Sequence, residues 1–302
     1  MRLSITVAPE DNEKNVKYIL KSRLCLSERL VKKLKYSGRI FLNSVPVHVN
    51  LPVHAGDLME ALVDLEEANE DILPEPLELD ILYEDDMLIA VNKAPDTVVH
   101  PTFGHLTGTV ANALMHHLLQ KNIKTLIRPV SRLDRDTSGI IVFALNPFIQ
   151  EKLVRQMHSN TFIKEYAGIV HGSFGEPVGT INLPIARLEG SIMLRHISPD
   201  GAPSVTHYEV LEQFEDTAFL KFRLETGRTH QIRVHSQATG HPLLGDTLYP
   251  LAEFEGRHEG LMSRQALHSR RTSFLHPYTN RLLELESPIP PDMQAALEIL
   301  RK

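Results

Sequence analysis

A short charged segment stands directly before an apolar run, and together they constrain the fold more than any other stretch of the chain. The segment reads "RLDRDTSG" (132–139) and the run reads "IIVFAL" (140–145). An apolar run of this length that follows turn-forming residues predicts a buried strand. Asp, Thr, Ser and Gly are common in turns, where polar side chains satisfy nearby backbone groups. Turn chemistry does not explain Arg132 and Asp134, which stand on either side of Leu133, and these two are candidate functional residues.

The rest of the chain predicts more strands than helices. The stretches "ILYEDDMLIAVNK" (81–93) and "SVTHYEVLEQFEDTAFLKFRLETG" (204–227) each indicate two strands joined by an acidic turn. Helical spacing of apolar residues occurs in "GTVANALMHHLLQ" (108–120), "PFIQEKLVRQMHS" (147–159) and "THQIRVHSQATG" (229–240). We therefore predict an α+β fold, with helices packed on a mixed, largely antiparallel sheet.

Charge is distributed unevenly along the chain, although the net charge is only -6. Residues 13–40 contain nine Lys or Arg and two Glu, whereas residues 57–86 contain thirteen acidic residues and no Lys or Arg. Fields act over a Debye length of about 10 Å, so a ligand senses the local charge rather than the total. A negative net charge therefore does not exclude nucleic acid as a partner.

The basic segment predicts a small α/β unit. "SERLVKKLKYSG" (27–38) indicates a helix that Ser27 caps and Gly38 closes, and the strand "RIFLN" follows. Its basic face fits either an ordinary solvated helix or a surface that contacts phosphates. We favour the second and predict RNA-phosphate contacts for four residues of this unit, namely Lys32, Lys33, Lys35 and Arg39.

An acidic stretch with two prolines, "EEANEDILPEPLELD" (66–80), indicates a linker. It divides the chain near residue 75 into a small domain, 1–75, and a larger one, 76–302. This division suits a chain of 302 residues.

Composition limits the compartment and the cofactors. Cys25 is the only cysteine, so no internal disulfide can form, which fits a reducing compartment. The N-terminus lacks the layout of a signal peptide, and no apolar stretch approaches the ~18 residues of a membrane span. We therefore expect a cytoplasmic protein that does not associate with membranes.

Motifs for cofactors and metals are absent from the sequence. It has no glycine-rich phosphate loop, no cysteine pair and no H-E-x-x-H spacing. We accordingly expect no nucleotide cofactor and no metal. Structural or surface roles are the default for the histidines that stand near motifs, which are His116, His117, His230, His235 and His241.

The segment "DRDT" (134–137) also matches the D-x-D-x-T motif of phosphohydrolases of the haloacid dehalogenase type. There, a buried strand delivers the motif at its carboxyl end. In this chain the strand follows the motif, and the preceding segment contains Pro129. The order is reversed, so an Asp-nucleophile phosphohydrolase is a remote alternative.

A family resemblance accounts for more of the chain. "SRLDRDTSGIIVFAL" resembles the H-R-L-D-x-x-T-S-G-[LIV] signature of the RluA-type RNA pseudouridine synthases. Four further stretches are similar to motifs of that family and occur in the same order. The basic N-terminal unit resembles the S4-like RNA-binding domain that many members carry. The four stretches are "LYEDDMLIAVNKAPDTVVHP", "GHLTGTVANALMHH", "FIKEYAGIVHG" and "LETGRTHQIRVHSQATGHPLLGDTLYP".

The resemblance implies an isomerase that converts uridine to pseudouridine in ribosomal or transfer RNA without a cofactor. It gives Asp134 the role of nucleophile or charge stabiliser and makes Arg233 its ion-pair partner, which would favour the ionised carboxylate. Tyr166 would stack on uracil and place its hydroxyl near the ring, and Arg132 would assist base flipping. Whether Asp134 attacks the ribose or the uracil ring stays open.

Three further basic residues, Lys164, Arg228 and Lys93, are expected to contact RNA phosphates. The chain departs from the family at two places: Ser131 stands where the family has His, and "APD" replaces Pro-x-Gly after "NK". Asp96 tolerates the turn conformation that Gly would adopt, so we expect activity to survive. The competing interpretation is an RNA-binding factor without catalysis. We expect a monomer.

Overall fold

Two β-sheets, of four and ten strands, organise the residues that the structure describes, and a two-stranded ribbon accompanies them. This computed structural model describes residues 1–63, 72–102 and 104–302. Residues 66–71 of the predicted acidic linker lie outside the described residues.

The described strands and helices alternate irregularly, as expected for an α+β protein. The strands are β1 Arg2–Thr6, β2 Ile40–Leu42, β3 Val45–Pro46, β4 Leu58–Leu62, β5 Ile81–Glu84, β6 Leu88–Lys93, β7 Arg128–Pro129, β8 Ser138–Ala144, β9 Ile163–His171, β10 Val178–Asn182, β11 Ile185–Arg187, β12 Arg195–Ile197, β13 Val205–Gln213, β14 Thr217–Leu224, β15 Leu267–Leu275 and β16 Leu282–Glu286. The α-helices are α1 Val16–Tyr18, α2 Glu28–Tyr36, α3 Val110–Gln120, α4 Pro147–His158, α5 Gln231–Ala238 and α6 Pro291–Leu300. No helix in the described ranges has the length and apolar character needed to cross a membrane.

The small sheet has the order β1-β4-β2-β3, and α1 and α2 precede β2 in the chain. The cap predicted for α2 is confirmed, because the Ser27 hydroxyl accepts a hydrogen bond from the Leu30 amide at 3.2 Å. Leu30, Val31 and Leu34 are buried on one side of this helix. Its lysines are exposed on the other side, as an amphipathic helix requires.

The large sheet has the order β10-β13-β14-β9-β15-β8-β6-β5, with β7 also paired to β8 and β16 to β15. All of these pairs are antiparallel except β8 with β15, which is parallel. The predicted mixed, largely antiparallel sheet is therefore confirmed. The predicted hairpins are β5–β6 and β13–β14.

Strand β8 is buried on both faces, which explains its continuous apolar sequence. Ile140 and Val142 belong to a hydrophobic cluster with α4 and the small sheet. Ile141 and Phe143 belong to a second cluster with α3. At the start of β8, Gly139 has φ +107, and a Cβ there would lie 2.3 Å from a backbone oxygen of β15. Only glycine allows this close approach, which anchors the turn before β8.

The N-terminal unit packs against the large sheet. One hydrophobic cluster contains apolar residues of both, and the Ser27 amide donates a hydrogen bond to the Glu151 carboxylate on α4 at 3.2 Å. At the predicted boundary itself, the Glu75 amide donates to the Asn112 carbonyl on α3 at 3.1 Å. The domain division near residue 75 remains a prediction.

Candidate active site

Three segments meet around one open cavity: the turn before β8, strand β9 and the loop between β14 and α5. The cavity has a volume of about 990 Å³ and is lined by Arg132, Asp134, Lys164, Tyr166 and Arg228 among others. A cavity of this size lies within the range of small-ligand pockets. The structure thus brings five predicted site residues, far apart in sequence, to one place.

A smaller cavity of about 60 Å³ adjoins it at the same residues. Asp134 and Tyr166 line both cavities, and the smaller one adds His230 and Arg233. Asp134 therefore lies where the two spaces meet. A group that enters the larger cavity can approach its carboxylate.

Asp134 and Arg233 are in contact, as predicted. A terminal nitrogen of Arg233 lies 3.3 Å from an Asp134 carboxylate oxygen. The Arg233 side chain is 5% exposed and that of Asp134 is 26% exposed. Asp134 thus has one side in contact with a buried cation and another side open to the cavity, the arrangement that a nucleophile or charge stabiliser needs.

Arg233 has a second and stronger acidic partner, Asp246. Its Nε and one terminal nitrogen donate to the two Asp246 oxygens at 2.6 and 2.7 Å. Burial opposes the charge of Arg233, but the hydrogen bonds to Asp246, with Asp134 nearby, raise the Arg233 pKa above its ordinary value. Arg233 therefore binds Asp246 in a bidentate geometry, whereas its contact with Asp134 is a single hydrogen bond.

Sequence reasoning did not assign Asp246. This residue is in "HPLLGDTLYP", a stretch that carried part of the family resemblance. Its carboxylate also accepts hydrogen bonds from the Leu248 and Tyr249 amides at 3.0 and 3.3 Å. An acid between a glycine and a threonine is typical of a turn, so local sequence contained no signal for a buried partner of Arg233.

Tyr166 projects from β9 and is 6% exposed. Burial, together with the Asp134 charge, raises the pKa of Tyr166 well above its ordinary value. The hydroxyl is therefore protonated at neutral pH. The Tyr166 side chain forms part of the cavity wall, and its stacking on a base remains a prediction.

Arg132 and Arg228 lie at the rim of the cavity and are exposed. The Arg132 guanidinium donates to the Thr229 hydroxyl at 3.2 Å, and the Arg228 Nε donates to the Pro203 carbonyl at 3.2 Å. Each side chain is thus held by one contact at an accessible surface. Lys164 is half-buried in the same cavity, where burial lowers its pKa.

The prediction for Lys93 is wrong. Its side chain is 1% exposed, so it cannot contact an RNA phosphate. The ammonium donates to the carbonyls of Ala94, Thr97 and Arg135 at 2.7, 2.8 and 2.7 Å. Burial lowers the Lys93 pKa to about 7. Three backbone acceptors that face inward hold this side chain in the core.

His230 lies beside Asp134, although a structural or surface role was expected for it from the sequence. Its Nε2 is 3.9 Å from an Asp134 oxygen, and its Nδ1 is 2.7 Å from the Tyr249 hydroxyl. Burial lowers the His230 pKa. The residue has φ +57, a left-handed conformation that is uncommon among non-glycine residues and that histidine adopts more readily than most.

The other highlighted histidines agree with structural or surface roles. His235 is buried, with its ring nitrogens 2.9 Å from the Thr206 hydroxyl and the Leu183 carbonyl. His117 contacts the Glu84 carboxylate at 3.1 Å. In the part of the chain that the structure describes, no group of three or more His, Cys, Asp or Glu side chains is arranged to hold a metal ion.

The departure at Asp96 is explained by its backbone. Asp96 has φ +55, the left-handed conformation that was predicted for it in place of glycine. The nearby Thr97 amide donates to the Arg135 carbonyl at 3.3 Å, so this turn touches the turn that carries Asp134.

Comparison with known proteins identifies the class. A family described as RNA pseudouridylate synthase matches residues 87–238. The chain is 38% identical to a protein named uncharacterized RNA pseudouridine synthase YlyB of Bacillus subtilis (strain 168), over 100% of this chain and 99% of that protein. It is 43% identical to the ribosomal large subunit pseudouridine synthase D of Vibrio parahaemolyticus, over 74% of this chain and 71% of that protein.

Solved structures agree. The human RNA pseudouridylate synthase domain containing 1 superimposes with a TM-score of 0.59 and 26% identity, over 74% of this chain and 89% of that one. The matched family region includes the Asp134 turn, Tyr166 and Arg233. This chain belongs to the RNA pseudouridine synthase family, of the RluA type. It is an enzyme of the class that isomerises uridine to pseudouridine.

Proposed function

We propose that this enzyme isomerises uridine in structured RNA at the cavity around Asp134, with Asp134 as nucleophile. The observation that carries the proposal is the Asp134–Arg233 contact of 3.3 Å at the junction of the two cavities. The Asp134 carboxylate contacts a buried guanidinium on one side and is open to a ligand in the larger cavity on the other. Arg233 is the ion-pair partner in this scheme.

Tyr166 forms the stacking surface for the base. An aromatic ring that lines a cavity stabilises an extruded base by about 1–3 kcal/mol. Its hydroxyl, protonated at neutral pH, can take part in proton transfer to or from the ring. Arg132, exposed at the rim, assists base flipping, and Lys164 and Arg228 contact the flanking phosphates.

The N-terminal unit, residues 1–75, acts as an S4-like RNA-binding domain. Lys32, Lys33 and Lys35 are exposed and Arg39 is half-buried on the same unit. Phosphate contacts by such residues make affinity depend on salt. Replacing the three lysines by glutamine should weaken RNA binding and reduce its salt dependence, with little change in turnover at saturating RNA.

We propose ribosomal RNA of the large subunit as the substrate to test first, with transfer RNA as the alternative. The support is the 43% identical relative, whose name refers to the large ribosomal subunit. Such a substrate would place the enzyme in the cytoplasm, where we expect it to act as a monomer without a cofactor.

The decisive experiment measures pseudouridine in cellular RNA after deletion of the gene and after complementation. Wild-type enzyme should restore the missing modification and Asp134→Asn should not. Asp96→Asn is the matched control, because that side chain is 82% exposed and asparagine also tolerates its positive φ. Restoration by Asp134→Asn would overturn the nucleophile assignment. If deletion of the gene removes no pseudouridine from cellular RNA, the result would favour an RNA-binding factor without catalysis.

The phosphohydrolase alternative lacks the strand order that it needs. Strand β8 begins at Ser138, after Asp134 and Asp136, so the motif stands at the amino end of the buried strand. Phosphate release from a generic ester substrate that is lost in Asp134→Asn would revive that reading.

A further inference from the structure

A buried arginine, Arg264, connects the turn that carries Asp134 to the C-terminal helix. Arg264 is 8% exposed. Its Nε and one terminal nitrogen donate to the two oxygens of Asp292, in the first turn of α6, at 2.7 and 3.0 Å. Its other terminal nitrogen donates to the Asp136 carbonyl, two residues after Asp134, at 2.9 Å. The guanidinium thus spans two elements that are far apart in sequence.

The same guanidinium has further contacts that fix its orientation. The nitrogen that binds the Asp136 carbonyl also lies 3.2 and 3.3 Å from the carbonyls of Gln265 and Leu267. The terminal nitrogen that binds Asp292 also lies 3.4 Å from the Ser138 hydroxyl. A planar fork can serve a carboxylate on one edge and carbonyls on another, whereas a lysine ammonium cannot span both.

The residues that follow Asp134, up to the first residue of β8, are tied to the segment that follows Arg264. The Gln265 side-chain amide donates to the Thr137 hydroxyl at 3.2 Å, and the Ser138 hydroxyl lies 2.9 Å from the His268 Nδ1. Both Thr137 and Ser138 are 2% exposed. The turn cannot relax without breaking buried hydrogen bonds, and a buried polar group that is left unpaired destabilises the fold.

We propose that Arg264, oriented by Asp292, is a positioning residue for Asp134. It holds the turn so that the Asp134 carboxylate faces the cavity within reach of Arg233. Arg264 is not among the residues that line either cavity, so it acts through the turn and not on RNA. This inference rests on the proposed function, in which Asp134 is the reacting group.

The scale of the effect follows from the geometry of catalysis. A displacement of about 1 Å at a reacting group can cost on the order of 100-fold in rate. Arg264→Lys keeps the charge but loses the fork, and Asp292→Asn weakens the orientation of the fork. We expect both variants to lower kcat by about 10- to 100-fold while KM for RNA changes less than about twofold.

The experiment measures kcat, KM and the thermal midpoint for the full-length enzyme on one RNA transcript. Asp292→Asn keeps the test informative if Arg264→Lys misfolds, since the Asp292 side chain is 40% exposed. The matched control is Arg301→Ala. Arg301 caps the C-terminal end of α6, opposite the end that carries Asp292, and forms an ion pair with Glu212 at 2.8 Å. This control should retain the kcat of the parent. The double variant Arg264→Lys with Asp292→Asn should lose little more than Arg264→Lys alone.

Three outcomes overturn the proposal. The first is an unchanged kcat in both variants. The second is a lower thermal midpoint with full kcat per folded enzyme, which would show a purely structural role. The third is an equal loss of kcat in Arg301→Ala, which would show that any loosening of α6 suffices. Failure of the proposed function is seen separately, as activity that persists in Asp134→Asn.

Discussion

Arg233 donates hydrogen bonds to both carboxylate oxygens of Asp246, at 2.6 and 2.7 Å. Its contact with Asp134 is a single hydrogen bond of 3.3 Å. Asp246, the buried acid, therefore orients Arg233. Asp134, the more exposed acid, accepts a hydrogen bond from the remaining terminal nitrogen of Arg233. Asp246 thus holds the Arg233 guanidinium in place, while Asp134 faces the cavity.

Stability should depend on Asp246 more than on Asp134. Asp246→Ala leaves Arg233 buried without its bidentate partner, and breaking a buried pair in this way costs about 3–5 kcal/mol. Asp134→Ala removes one contact of a partly exposed group and should cost about 1 kcal/mol, with loss of activity. Urea denaturation of the two variants measures the difference. Equal destabilisation by both would contradict the assignment of Asp246 as the main partner.

Removal of the Tyr166 hydroxyl should slow the reaction without weakening RNA binding. Tyr166→Phe keeps the ring that lines the cavity but loses the group available for proton transfer, a contribution typically of about 10²- to 10⁴-fold. Single-turnover rates measure the effect on the reaction, and filter-binding affinities measure the effect on RNA binding. Because the Tyr166 pKa lies well above its ordinary value, the pH–rate profile of the parent should show no loss of activity from this hydroxyl near pH 8 to 9. If Tyr166→Phe has the same rate as the parent enzyme, only the stacking role of Tyr166 remains.

Arg132→Ala should matter more for folded RNA than for an unstructured RNA. Flipping a stacked uridine costs a few kcal/mol, and that cost is absent when the base is already unstacked. The measurement compares kcat/KM for a stem-loop transcript and a short single strand. Arg135→Ala is the control, since Arg135 is exposed on the same turn and lines neither cavity. An equal loss on both RNAs would point to phosphate binding instead of base flipping.

Lys93→Met should destabilise the fold. The substitution removes the donor from three backbone carbonyls, and each buried unsatisfied acceptor costs about 1–3 kcal/mol. Since one of these carbonyls belongs to Arg135, turnover should fall as well. Chemical denaturation, with the exposed Lys124→Met as control within about 0.5 kcal/mol of the parent, provides the test. A stable Lys93→Met protein would show that water can replace the ammonium.

Two buried histidines should make the enzyme sensitive to acid. Burial lowers the pKa of His171 and of His268 to about 4, from an ordinary value of 6.5. Between these values the unfolded chain binds more protons than the folded one, so the stabilisation is complete above pH 6.5 and is lost as the pH falls towards 4. Urea midpoints at several pH values measure the slope. His268→Gln should reduce it and the exposed His48→Gln should not; an unchanged slope in His268→Gln would exclude His268 as a contributor.

Local elements were predictable because their determinants lie close together in the chain. Ser27 caps α2 through an amide three residues away, and Asp96 adopts the positive φ that its turn requires. Strand β8 followed from a run of apolar residues. For Ser27 and Asp96 the determinants lie within a few residues. For β8 the apolar run predicts a buried strand, whereas its pairing with β6 and β15 was decided by the tertiary structure.

The surroundings of the candidate site depended on contacts across the chain. Lys93 looked like a surface cation, yet it binds the Arg135 carbonyl 42 residues away. Asp246 and Arg264 were not assigned, because their partners depend on how the strands of the large sheet are ordered. Parallel pairing of β15 with β8 brings the segment after Arg264 against the Asp134 turn.

The sequence by itself determined the class of enzyme, the order of its motifs and the identity of Asp134, Tyr166 and Arg233 as candidates. Only the tertiary structure decided which charges are buried and which face the cavity. The physical reason is that a buried charge is stable only with partners at hydrogen-bonding distance. Those partners are set by sheet order and packing, which short-range sequence patterns do not encode.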